Sequence, residues 1–279
     1  MAALGERQKK RWANALLQLL LAAASLMILL PLMIMLQGSF KDVKEASLLN
    51  LNLPSAWHFE NYRVVFERGR VGRAFWNSLV ITVSSVALTT LCASMASFYM
   101  ARSRRRFASL LYSVFMLGLI APMSLIPTIK LMQALSLNNT YAGIILLFAA
   151  TNMALSVLLM TGFIKTIPKE LDEAAIIDGC GLMRAFFSVV LPLLKPVVVT
   201  SAIVVFMGVW NSFMMPLYFL SDSDMWPMPL TVYNFFGQYQ SSWNLVFADL
   251  TMTAAPILVV YLIGQRYIID GMTAGAVKG

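Results

Sequence analysis

The chain reads as an all-α membrane protein with six transmembrane helices. Three features predict this: an apolar composition, six apolar runs of spanning length that hold almost no charge, and basic residues gathered at the ends of those runs. Of 279 residues, 59% are hydrophobic and 12% charged, against about 25% charged in an ordinary soluble domain. So few charges cannot coat a water-facing surface, which makes the bilayer the natural solvent. A hydrocarbon core of about 30 Å needs about 20 apolar residues at a rise of about 1.5 Å each. Such runs fall at 13–36, 75–100, 107–129, 141–164, 197–220 and 245–265. No Lys, Arg, Glu or His interrupts them, and Asp249 sits near the start of the sixth. Helix satisfies every backbone group within one segment. The short alternating strands of a membrane barrel are missing.

The first run follows the basic stretch Arg7-Gln8-Lys9-Lys10-Arg11 and could be taken for a signal peptide. It is longer than a signal core of about 7–15 residues, and no small-residue cleavage site follows, so a retained helix is expected. Fourteen of the 21 Lys and Arg residues lie on the side of both termini and seven on the other, which predicts cytoplasmic termini. The net charge of +8 is thereby explained by topology, and no nucleic-acid partner is implied. The Arg102–Arg106 cluster reads as a topology anchor.

In the first outer loop, Tyr62, Val65 and Phe66 recur at helical spacing and predict a short amphipathic helix near Glu60–Arg68. The single histidine, His58, reads as a surface residue, and Cys92 and Cys180 offer neither a disulfide framework nor a metal spacing. Pro31, Pro122, Pro127 and Pro256 read as helix kinks. The last outer loop, residues 221–244, is rich in aromatics, among them Trp226, Tyr233, Tyr239 and Trp243. An interfacial belt and a surface for a partner or a sugar are equally compatible with it.

The connection 165–196 is too polar to span, yet helical in pattern. Pro168 suits a first helical turn, Glu170, Asp172 and Glu173 favour the positive end of the helix dipole, and Gly179 suits the left-handed position that ends the helix. A second short helix is expected from Leu182 to Val190. An acid-first helix with Ala174 and Ala175 suits close approach of another protein better than a lipid surface, which favours basic residues. Its position across the ends of two spans is what a coupling element requires.

Here a resemblance is specific. Glu173-Ala174-Ala175, Asp178-Gly179 and, further on, Leu191-Pro192 resemble the EAA motif of membrane subunits of binding-protein-dependent ABC importers, with Val189 where isoleucine is usual. Asn61-Tyr62, Asn77-Ser78, Trp210-Asn211, Pro216-Leu217 and the ending Gly271–Gly279 are similar to the carbohydrate branch, including the smaller membrane subunit of the maltose transporter. The resemblance implies the type I importer permease fold. It divides the chain into a cytoplasmic N-terminus at 1–12, a permease domain at 13–268 with the coupling loop inside it, and a cytoplasmic tail at 269–279. It implies that Glu173, Ala174, Ala175, Asp178, Gly179, Leu191 and Pro192 form the contact to a dimeric ABC ATPase, with Ala174 and Ala175 packed in its cleft. It further implies that Gly275, Ala276, Val277, Lys278 and Gly279 insert between the ATPase subunits. The implied partners are a second permease subunit, an extracytoplasmic solute-binding protein, a sugar substrate and the bacterial inner membrane.

The chain has no Gly-x-x-x-x-Gly-Lys-Ser/Thr sequence to cradle phosphates. No cofactor of its own is expected, ATP and magnesium being used by the partner ATPase. No intramembrane charge pair or histidine relay supports an ion-coupled carrier, and no nucleophile, base or metal cluster supports an enzyme. Neutral polar groups in the spans, with Asn152, Trp210, Asn211 and Tyr218 as pathway candidates, suit an uncharged, hydroxyl-rich solute. A non-sugar solute such as glycerol phosphate or a polyamine is the alternative.

Overall fold

The computed structural model describes residues 2–121, 123–237 and 242–276. Their regular structure is helical, with no strand among the described residues. They divide into two compact units, one of residues up to Val71 with Val232–Thr253, the other of Gly72–Thr231 with residues from Ala254 onward.

In the first unit, α1 (Ala2–Gly38) carries the first apolar run, and its most apolar stretch is left unburied by the chain. α2 (Val43–Ser47) is capped by Asp42, whose Oδ1 accepts from the Glu45 N–H at 2.6 Å. α3 (Glu60–Arg68) is the expected short helix, and it buries Asn61 and Val65, one turn apart. Phe66, expected on the inner face, is half exposed. Asn61 organises this unit. Its Nδ2 donates to the carbonyls of Ser39 and Lys41 at 2.9 and 3.0 Å, and its Oδ1 accepts from Asn244 at 3.0 Å. The ring of Phe40 sits 5.2–5.4 Å from those of Trp57, Phe59 and Tyr62. His58 binds Glu60 at 2.6 Å, and that bond is the first cause holding the exposed Glu60 carboxyl below its ordinary range.

α4 (Val71–Arg102) leads into the second unit, followed by α5 (Arg106–Ile120) and α6 (Leu125–Ala134). Two of the six apolar runs are not single helices. The run at 107–129 is broken between α5 and α6, where Ala121 is extended at φ −73°, ψ 123°. A residue followed by proline is driven out of the helical region, and Pro122, which lies outside the described residues, follows it. α7 (Tyr141–Ile164) matches the fourth run and is capped by Thr140, whose Oγ1 accepts from the Gly143 N–H at 3.0 Å.

The run at 197–220 is also broken, into α11 (Lys195–Trp210) and α12 (Met214–Phe219). Pro216 has no N–H for the carbonyl of Ser212 and its ring would collide with that carbonyl in a continuous helix, so the chain leaves the helix at 211–213. The sixth run lies within α13 (Trp243–Ala276), and α1 and α13 stay helical through Pro31 and Pro256. Among the described residues, four helices are each long and apolar enough to cross a membrane. A fifth crossing is formed if Leu182–Leu193 and Lys195–Trp210, bent by 77°, count as one.

In the second unit, apolar centres form near both ends of α7. Ile81, Met132, Ile144, Phe148, Val209 and Phe219 form one, near the start of α7. Ala93, Phe98, Val157, Met160, Ile164 and Phe186 belong to the other, near its end. Hydroxyls hold helices together between them. Ser97 donates to the Val157 carbonyl at 3.3 Å, Ser201 to Ser156 at 3.0 Å, and Thr200 to the Tyr267 carbonyl at 2.8 Å, contacts typical of membrane helix interfaces.

Gly143 marks the tightest approach in this unit. A Cβ on it would overlap the backbone carbonyl of Leu137, which cannot move aside as a side-chain tip can. Gly143→Ala is expected to cost about 3 kcal/mol, read as a lowered Tm in detergent. Gly264→Ala, where a Cβ would meet the flexible end of Ile203 at 3.0 Å, is expected to cost far less.

Candidate functional site

The segment between α7 and α11 folds as a bent pair of short helices within the second unit. α8 (Glu170–Ile177) begins two residues later than Pro168 suggested, with Lys169 at its N-cap. Three acids occupy its first turn. Its end is a Schellman turn: the Cys180 N–H bonds the Ala175 carbonyl at 3.0 Å, the Gly179 N–H bonds that of Ile176 at 3.0 Å, and Gly179 has φ +81°.

The second helix is less regular than expected. α9 (Leu182–Ala185) passes into a π-helical turn at Phe186–Val190 and then α10 (Leu191–Leu193). The Leu191 N–H bonds the Phe186 carbonyl, five residues back. Pro192 supplies no N–H, and the widened turn just before it accommodates its ring. Phe186, Val190 and Leu194 are fully buried in the apolar centre shared with α4 and α7. This half of the segment is therefore rooted in the helical body.

α8 itself is presented outward. Glu173, Ala174, Asp178 and Gly179 are exposed, and Ile177 is 84% exposed. A Cβ on Gly179 would meet nothing within 4 Å. Leu171, Ile176, Leu182 and Met183 add exposed apolar surface on the same connection. Two residues of α8 are already engaged within the chain. Ala175 is buried within the chain, because neighbours on a helix point about 100° apart. Only Ala174 of the alanine pair is open to another surface. Asp172, one of the first-turn acids, is turned inward. Leu191 leans on the buried centre, while Pro192 is exposed.

Asp172 pairs through Oδ2 with Nε of Arg102, the last residue of α4. A second guanidinium nitrogen of Arg102 donates to the Ile167 carbonyl at 3.1 Å. In the sequence Arg102 is one charge of a topology cluster, and no spacing rule connects it with an acid so far along the chain. At the end of α7, Lys165 lies over the Tyr112 ring at 5.2 Å. A groove of about 520 Å³ beside these groups is lined by Arg102, Lys165, Ile167, Lys169 and Glu170, among others.

The pathway candidates are not brought together as one lining. Trp210 is buried, stacked on Phe206 at 5.5 Å and edge-on to Phe75 at 5.9 Å, so its ring serves packing within the chain. Asn152 donates to the Phe148 carbonyl of its own helix at 2.8 Å. Asn211 and Tyr218 remain exposed, at the break after α11 and on α12. Gly275 and Ala276 fall at the end of α13, and Val277, Lys278 and Gly279 lie outside the described residues, as does Tyr239.

Asn77, one of the polar groups noted in the spans, has a different task. Its Nδ2 donates to the carbonyls of Asp224 and Trp226, each at 3.0 Å, and its Oδ1 accepts from the Tyr141 hydroxyl at 2.8 Å. Ser78 Oγ accepts from the Met228 N–H at 2.8 Å. Asn139 Oδ1 accepts from the N–H groups of Ser221 and Asp222 at 2.9 and 3.1 Å, and Arg73 pairs with Asp224 at 2.8 Å. Residues 221–228 are thus clamped to the helices beneath them.

The comparisons with known proteins agree with this architecture. A family model described as a binding-protein-dependent transport system inner membrane component matches residues 91–273. The multiple sugar-binding transport system permease protein MsmG of Streptococcus mutans is 38% identical over 93% of this chain and 95% of that protein. The melibiose/raffinose/stachyose import permease protein MelC of Bacillus subtilis is 34% identical over 81% of this chain and 83% of that one. One solved chain has the same fold, with a TM-score of 0.82 at 20% identity, over 92% of this chain and 96% of its own length. It comes from a bacterial ABC transporter involved in the import of the acidic polysaccharide alginate. The bent helix pair, the apolar spans and these matches make the chain a member of the inner membrane components of binding-protein-dependent transport systems, the multi-pass permease subunits of ABC importers.

Proposed function

We propose that the chain is the permease of an importer for a neutral sugar or oligosaccharide, driven by a separate ATPase that docks on α8. The observation that carries the docking is the contrast within one segment. α8 offers Glu173, Ala174, Asp178 and the open Gly179 turn outward, while the helix after it is rooted in the centre shared with α4 and α7. A push on the outer part is thereby delivered to two spanning helices. In this reading both termini and α8 are cytoplasmic, as the Lys and Arg distribution favours. Glu173 meets a basic residue of the ATPase, Ala174 approaches its surface closely, and the tail Gly275–Gly279 lies between two ATPase subunits. The chain holds no nucleotide site of its own, and ATP with magnesium is used by the partner.

The sugar assignment is supported by the named solutes of MsmG and MelC and by the uncharged polar groups Asn211 and Tyr218. A second permease subunit, different from this one, completes the pathway. The unburied α1 supports such a neighbour.

The test is reconstitution into proteoliposomes with the ATPase, second permease and binding protein. Uptake of labelled raffinose, maltotetraose, glycerol 3-phosphate and spermidine is then compared. ATP-dependent uptake of a neutral sugar is expected. Uptake of glycerol 3-phosphate or spermidine in its place, or uptake indifferent to ATP, overturns the reading.

A further inference from the structure

We propose that Arg102 and Asp172 are positioning residues that make the mechanical link between α8 and α4: a buried ion pair through which displacement of the docking helix moves the end of a spanning helix. The inference rests on the reading of α8 as the ATPase contact and adds the route by which its motion enters the helical body.

The attachment of α8 is otherwise slight. Within the helix only Ala175 is buried, and a single methyl group gives little hold. Its far end leaves through the Gly179 turn toward Phe186, Val190 and Leu194, which are anchored by apolar packing. Its near end is held by the ion pair. The two anchors differ in kind. Apolar packing is non-directional and tolerates small slides, whereas a poorly solvated charged pair resists separation.

Burial makes the pair stiff. Both side chains are 13% exposed. Nε and Nη2 of Arg102 and Oδ1 of Asp172 are buried with no hydrogen-bond partner among the described residues, so the pair is held by charge. Moving α8 away from α4 would strand two charges in a medium that screens them poorly, so the helices move together instead. Arginine suits the position because its planar fork serves two acceptors at once, the Asp172 carboxylate and the Ile167 carbonyl. That second bond ties in the connection leading from α7 into α8. The other charges around the pair are Lys165, Lys169 and Glu170, all exposed on the rim of the groove. Of the four arginines between 102 and 106, the three after Arg102 are exposed. Membrane topology therefore does not need Arg102 to be buried.

The experiment uses the complete importer in nanodiscs, with ATP and vanadate as the probe. Amide hydrogen exchange is read separately in peptides from 96–105 and 170–180. In the native importer the nucleotide is expected to alter exchange in both. In Arg102→Ala and Asp172→Asn the response at 170–180 persists, because docking is intact. The response at 96–105 falls to about a third or less, since one charge of a buried pair is gone. The exchanged pair Arg102→Asp with Asp172→Arg restores most of it, the signature of a direct coupling. Exchange across 141–164 without nucleotide checks folding. If Arg102→Ala disturbs it, Arg102→Lys replaces that variant and is expected to give an intermediate response. An undiminished response at 96–105 in the single variants, or no recovery in the exchanged pair, overturns the link. Silence at 170–180 in the native importer overturns the docking reading instead, so the two failures are told apart.

Discussion

Glu173→Lys and Gly179→Asp are expected to abolish most ATP-driven uptake while leaving the protein inserted and the ATPase able to hydrolyse nucleotide. The physical case is clearest at Gly179. A side chain there meets nothing in this chain within 4 Å, so no internal clash can account for a lost function. The backbone at φ +81° penalises a non-glycine residue by about 1–2 kcal/mol, a strain that loosens the helix end without unfolding the protein. Gly179→Ala isolates that strain and is expected to reduce uptake only modestly. Gly179→Asp adds a second charge beside Asp178 on an outward surface. At a closely packed protein contact such a change lowers function by about tenfold or more. Glu173→Lys reverses the charge that an exposed first-turn acid presents. The measurement is the ratio of solute uptake to ATP hydrolysis in proteoliposomes. Native uptake by Glu173→Lys or Gly179→Asp would refute the coupling assignment.

Asn77→Ala is expected to be strongly damaging on the opposite side of the second unit. The side chain is buried and uses both amide hydrogens and its oxygen, on two loop carbonyls and the Tyr141 hydroxyl. Alanine leaves all three without that partner. The cost is about 2–3 kcal/mol, because stranded polar groups forfeit their full desolvation penalty. Ser78→Ala strands only the Met228 N–H and is expected to cost about half as much. Both should appear as faster proteolysis within 221–231 and a lower Tm, with Asn77→Ala clearly the worse. Equal and negligible effects would show that the loop is held by other contacts.

Much of the fold was legible because lipid imposes a simple rule. A run of apolar residues without charges has to be helical, and the fourth run coincides with α7 from Tyr141 to Ile164. The end of α8 was legible for an equally local reason: few residues other than glycine accept the left-handed backbone found at Gly179. Apolarity did not reveal where a run is interrupted. Residues 107–129 and 197–220 read as continuous, yet proline at 122 and 216 breaks both. Those breaks were present in the sequence as proline chemistry and were outweighed by hydropathy.

What the sequence alone determined is the solvent of this protein, the helical state of its spans and the place of its outward-facing motif. All three depend on neighbours in the chain and on the medium. Only the tertiary structure decided which groups are already engaged: Asp172 turned in to Arg102, Ala175 buried, Trp210 enclosed by aromatic rings, and Asn77 holding a loop. Each of these depends on a partner distant in sequence. A carboxylate or an amide carries no mark of whether folding will bring it a cation, a carbonyl or open surface.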